Sequence, residues 1–239
     1  MLMPTVVGHV GLAYALVIIV LSHCISLATG LSVSSIATNR TVGPGGAYFM
    51  ISRALGAPAG ASIGIPLFFA QALSVAFYVK GFTESVRPSG DLGFDWLNMM
   101  LSEHAISIAT CIGLLMLVWK NSALAIKVQY FVMGAIILSL ISIFMGGPGG
   151  DPTTIEWFVS DSSARGDLGP RMSFSQVFAI FFPAVTGIMA GVSMSGDLKD
   201  ARRSLPRGTL FAILTGFVVY LAIPVFLAMN YSLDEMRSD

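Results

Sequence analysis

Charged residues leave this chain in long gaps. Stretches free of Asp, Glu, Lys and Arg run from Met1 to Asn39 (39 residues), Ala54 to Val79 (26), His104 to Trp119 (16), Val128 to Gly150 (23), Met172 to Gly196 (25) and Gly208 to Leu233 (26). A charge at mid-bilayer costs about 2.5 to 3.5 kcal/mol on insertion scales, and a spanning helix needs about 20 residues, so each gap reads as a membrane span. The third reaches that length once Leu97 to Ser102 are added, which puts Glu103 near an interface. Composition agrees, since only 11% of the 239 residues are charged and the mean hydropathy is +0.80, whereas soluble domains carry about 25% charge. Thirteen basic residues balance thirteen acidic ones, which excludes a nucleic-acid-binding surface. Cys24 and Cys111 both lie inside apolar runs, so neither a disulfide scaffold nor a paired-cysteine metal site is available.

The first gap is too long for one span, because 39 helical residues at about 1.5 Å each overreach a hydrocarbon core of about 30 Å. Pro4 and Gly8 mark the expected break. Residues 1–9 then read as the outer end of a preceding helix, in a chain expected to be truncated at its start and lacking the features of a signal peptide. Six full spans follow, at about 10–31, 60–86, 97–119, 123–146, 173–195 and 207–230, giving an all-α polytopic membrane protein. Alternate loops carry 8 and 4 Lys and Arg, with Lys80 counted separately; the richer side is expected to be cytoplasmic, and the loop from Gly146 to Arg171 external.

Two places carry chemistry that a plain helix does not need. In Phe181-Phe-Pro-Ala-Val-Thr-Gly-Ile-Met-Ala-Gly191, Pro183 removes an amide donor and Gly187 accepts dihedrals that other residues resist. Unwinding there would free backbone groups at a depth where they must be buried in protein or face a watery cavity. Amides at a half-helix N-terminus favour an anion, and unwound carbonyls favour a dehydrated cation. A proline kink with glycines for close helix packing is the other reading of the same residues. The second place holds Tyr78, a candidate cation ligand or a packed or interfacial ring. Lys80, two positions on, is expected to snorkel outward or pair with Glu84. His23 and Gln71 read as hydrogen-bonded helix contacts. The Gly-rich segments Gly43–Gly46 and Gly146–Gly150 lack the ending of a phosphate-binding loop and read as turns. No span holds a carboxylate pair, a metal-ligand cluster or a nucleophile with its base, so an enzyme is not expected.

Several motifs in order resemble the cation-chloride cotransporters of the amino acid-polyamine-organocation superfamily. They are Gly30-Leu-Ser-Val-Ser-Ser-Ile-Ala-Thr-Asn39, Gly45-Gly-Ala-Tyr-Phe-Met-Ile-Ser-Arg-Ala-Leu-Gly56, Ser62-Ile-Gly64, Tyr78-Val-Lys-Gly-Phe-Thr-Glu84, the Phe181–Gly191 segment, Ser195-Gly-Asp-Leu-Lys-Asp200 and Leu205-Pro-Arg-Gly-Thr-Leu210. The resemblance implies a partial five-plus-five inverted-repeat transporter fold. Residues 1–239 would form a single partial transport domain, from the end of helix 1 through helix 7, with the broken span as helix 6. It implies a potassium site at Tyr78, Pro183 and Thr186, and a chloride site at the amides of Gly187, Ile188 and Met189. Tyr78 is similar to the residue of potassium-coupled members, where the sodium-chloride members carry histidine; Lys80 departs from the apolar residue usual at its position.

The expected activity is secondary cotransport of potassium and chloride, with sodium coupling left open. Inorganic ions and the lipid bilayer are the expected partners, a homodimer being an option for a longer parent, and no cofactor or further metal is implied. The expected location is a plasma or cytoplasmic membrane. Two alternatives stand beside this reading: an amino acid permease of the same fold, and a non-transporting scaffold or regulatory subunit.

Overall fold

The computed structural model describes residues 2–39, 45–86, 102–120, 122–146, 157–158, 172–232 and 236. Those residues contain α1 (Leu2–Asn39), α2 (Gly46–Leu55), α3 (Ala57–Val86), α4 (Glu103–Lys120), α5 (Ser122–Met145), α6 (Phe174–Phe181), α7 (Ile188–Ser193) and α8 (Ala201–Asn230), with short 3-10 turns at Phe182–Val185 and Met194–Asp197. The chain divides into two compact units, one of residues 1–60 and 146–239, the other of residues 61–145.

In the first unit α1 lies along α8 and against α6. Their apolar faces meet in a core of Val6, Val7, Ile18, Ile19, Val177, Phe181 and Leu227. The long first run is indeed broken, at Gly11 rather than at Pro4 and Gly8. Pro4 falls in the first turn of α1, where a missing N–H removes no helical bond. Gly11 takes φ 80 and ψ 166, a conformation that a side chain would oppose. The Ala13 N–H freed by this break donates to Trp157 O at 3.0 Å, and beside it Met172 N–H donates to the His9 side chain at Nδ1, 3.2 Å away. Beyond Gly11 the helix runs on to Asn39, eight residues past the expected end at Leu31.

The second unit contains α3 from Ala61, α4 and α5. Thr83, fully buried, shares a hydrogen bond of 3.0 Å with Ser107 and so ties α3 to α4. Lys80 Nζ reaches Glu84 one turn along α3, at 3.7 Å, and also contacts Glu103 at the start of α4. The pairing expected of Lys80 is therefore present, and it extends to a second carboxylate on the neighbouring helix.

Five described segments are long and apolar enough to cross a membrane, corresponding to all the expected spans except the third. In that one only Glu103–Lys120 is helical among the described residues, 18 residues or about 27 Å, and residues 97–101 lie outside the described residues. Their outward faces carry large apolar side chains, with Phe68 68% and Phe131 79% exposed. At about 25 cal/mol per Å² such surface is costly to hydrate; hydrocarbon is its compatible solvent.

Candidate functional site

The fifth expected span, 173–195, is two helices with a gap between them. Ser173 caps α6, its backbone N–H donating to Gln176 Oε1 at 2.8 Å. The helix stops at Phe181 and tightens into the 3-10 turn, because Pro183 has no N–H to donate to the turn behind it. Thr186 is then extended (φ −88, ψ −178), and Gly187 turns into the left-handed region (φ 112, ψ 1) before α7 begins at Ile188. The continuous proline kink is excluded, since two successive residues leave helical geometry. At the new helix start, the first bond closing the turn is Ala190 N–H to Gly187 O at 3.0 Å. The N–H groups of Gly187, Ile188 and Met189 precede it in the chain and have no carbonyl behind them in α7.

Neighbouring hydroxyls dress the carbonyls of the gap. Thr186 Oγ1 donates back to Pro183 O at 2.7 Å. Tyr220 Oη, from α8, donates to Ala184 O at 3.3 Å, and Ser26 Oγ, from α1, donates to Val185 O at 3.0 Å. Each carbonyl oxygen has two lone pairs, so Ala184 O and Val185 O, capped by one hydroxyl each, can accept again, whereas Pro183 O already takes the Thr186 N–H at 3.3 Å beside the Thr186 hydroxyl. The gap borders a cavity of about 360 Å³ between α1, α8 and the unwound segment. Thr186, Gly187 and Ile188 line it from one side and His23, Ser26, Thr209 and Tyr220 from the others.

Pro183, Thr186, Gly187, Ile188 and Met189 therefore belong to a single break in the first unit. Tyr78 stands on α3 in the second unit, half-exposed, its ring edge-on to Phe77 at 6.2 Å. His23 is the hydrogen-bonded helix residue that its sequence setting suggested, with Nδ1 2.9 Å from Ile19 O. Ser26 and Tyr220 were not legible as site residues. The available signal was weak: Ser22, His23 and Ser26 group polar side chains within about one helical turn of a charge-free run, the serines spaced four apart on one face. Among the described residues no three His, Cys, Asp or Glu side chains come together to hold a metal ion.

A family model described as amino acid permease matches residues 1–238. Solute carrier family 12 member 2 of Danio rerio is 36% identical over 233 residues, which is 93% of this chain and 20% of that protein. Member 1 of Homo sapiens is 36% identical over 232 residues (92% and 21%), and member 3 of Pseudopleuronectes americanus is 37% identical over 236 residues (92% and 23%). The chain thus spans about a fifth of the length of these curated relatives, the group to which the sequence motifs pointed.

Proposed function

Since this chain belongs to the amino acid permease family, whose members are multi-pass membrane transporters and not enzymes, we propose that it is part of a cation-chloride cotransporter that moves potassium and chloride together. The observation that carries this reading is the break at Thr186–Gly187, which offers polarised backbone of both signs without a buried ionised side chain. Amides of Gly187, Ile188 and Met189 would hold chloride at the start of α7. The Pro183 carbonyl and the Thr186 hydroxyl would replace part of the hydration shell of potassium; Tyr78 is the further ligand that the resemblance to the cation-chloride cotransporters implies. The Thr186 hydroxyl donates to Pro183 O, so its oxygen keeps lone pairs for a cation. Transport would proceed by alternating access around this fixed site.

The amino acid reading, with a substrate carboxylate in place of chloride, is not favoured, since the curated relatives are solute carrier family 12 members. Rubidium uptake by the protein in its full native length, measured with and without chloride and with and without sodium, tests the proposal. Chloride-dependent rubidium uptake is the expected result, and amino acid uptake indifferent to chloride would overturn it. Tyr78→Phe and Thr186→Val are expected to weaken potassium dependence more than expression. Unchanged ion affinities in both would remove these residues from the site, and equal loss of affinity and expression would assign them to packing.

A further inference from the structure

The cavity beside the break has an atom left over. His23 is 6% exposed, and its Nδ1 sits 2.9 Å from Ile19 O. A carbonyl oxygen can only accept, so Nδ1 carries the proton, and in the neutral ring Nε2 is then a bare acceptor. Nε2 faces α8 at the cavity wall, being the atom nearest to where a Gly216 side chain would start, at 3.9 Å, with both His23 and Gly216 lining the cavity. No described residue donates to it. The donors that could have done so are committed elsewhere, Ser26 to Val185 O and Tyr220 to Ala184 O. Small residues on α8, among them Gly208, Ala212 and Gly216, keep the space open, and its volume falls within the range of small-molecule sites, about 300 to 1,000 Å³.

We propose that this cavity is a regulatory site for a small neutral molecule with an apolar body and one hydroxyl or N–H donor, which it gives to His23 Nε2. The apolar body lies against Ala212 and Ile213 and against the Tyr220 ring, whose centroid is 5.7 Å from the imidazole; Phe217 flanks the imidazole as well, at 5.1 Å. An occupant fills the space between the two helices whose hydroxyls cap the unwound carbonyls, and so holds α1 and α8 against the break. The binding half of this inference is independent of what the break transports. The regulatory half rests on the transport reading above, with a filled cavity slowing the cycle.

The test uses 2-naphthol and its methyl ether, which share an apolar body and differ in the donor. Binding to the purified chain in lipid nanodiscs is measured by calorimetry and thermal shift. The expected result is that 2-naphthol binds at least tenfold more tightly than 2-methoxynaphthalene, and that His23→Phe, which keeps a ring between Phe217 and Tyr220, removes the difference. Gly208→Leu serves as the second variant, because a Cβ at Gly208 meets nothing within 4 Å and leucine is the better helix former. It should fill the cavity from within a stable helix and abolish binding of both compounds. Equal binding of the two compounds, discrimination that survives in His23→Phe, or binding that survives in Gly208→Leu would each overturn the proposal, as would no binding at all. Rubidium uptake inhibited by 2-naphthol in the native protein, and slow without any compound in Gly208→Leu, whose side chain fills the same space, supports the regulatory half; uptake unaffected by a bound compound overturns that half. Absence of rubidium uptake in every variant would overturn the transport reading while the binding result stands.

Discussion

Replacing Gly187 by alanine isolates the backbone cost of the break from any steric cost. The residue sits at φ 112, ψ 1, and a Cβ placed on it meets nothing within 4 Å. The whole penalty is therefore conformational, about 1 to 3 kcal/mol for a non-glycine residue held in such a region. Reduced freedom of the unfolded chain returns about 0.4 to 1 kcal/mol, leaving a net loss of about 1 to 2 kcal/mol. Gly191 is the internal control. It lies four residues on, inside α7, and its Cβ also meets nothing within 4 Å, yet in helical geometry alanine gains about 1 kcal/mol over glycine. The same chemical change should thus destabilise at one position and stabilise at the other, with a separation of about 2 to 3 kcal/mol. At about 2 to 4 °C per kcal/mol for a chain of this size, the two variants should differ by roughly 4 to 12 °C in thermal unfolding in a common nanodisc. Melting temperatures that coincide, or a Gly187→Ala variant more stable than Gly191→Ala, would refute the claim that a left-handed residue holds the two half-helices apart.

Other perturbations test the supports of the break and of the second unit. Ser26→Ala removes the 3.0 Å cap on Val185 O and should cost about 1 kcal/mol of stability, read from the same melts; Tyr220→Phe, which loses a longer 3.3 Å contact, should cost less. The two together should make the segment around Val185 exchange amide hydrogens faster than in either single variant. Lys80→Met leaves Glu84 and Glu103 without their shared cation and should lower thermal stability, with Glu103→Gln more damaging than Glu84→Gln because Glu103 is the less exposed partner, 27% against 61%. Equal effects of the two Gln variants would show that the link from α3 to α4 is no stronger than the pairing within α3.

The membrane setting was written in the sequence because charge exclusion is a local property of each run. No knowledge of neighbours was needed to see that the stretch from Met172 to Gly196 belongs in hydrocarbon. A weak point inside it was legible for the same reason, since Pro183 lacks a donor and Gly187 lacks a Cβ wherever they are placed, but only the dihedrals of Thr186 and Gly187 decided between a kink and a full break. Pro4 and Gly8 misled because the effect of a proline or glycine depends on its place in the helix. In a first turn Pro4 interrupts nothing, and Gly8 stays helical while Gly11, three residues on, takes the turn. What covers the freed groups was beyond the sequence's reach. Ser26 and Val185 are 159 residues apart, and Tyr220 and Ala184 are 36 apart; serine and tyrosine look the same whether they cap a distant carbonyl or their own helix. Only packing of α1 and α8 around the gap decided that these two hydroxyls point at it. The same packing set an imidazole nitrogen, His23 Nε2, beside Gly216 at the cavity wall. Local chemistry thus marked where the helix could part, and tertiary structure decided that it does and which atoms attend the parting, since hydrogen-bond partners are chosen by proximity in space.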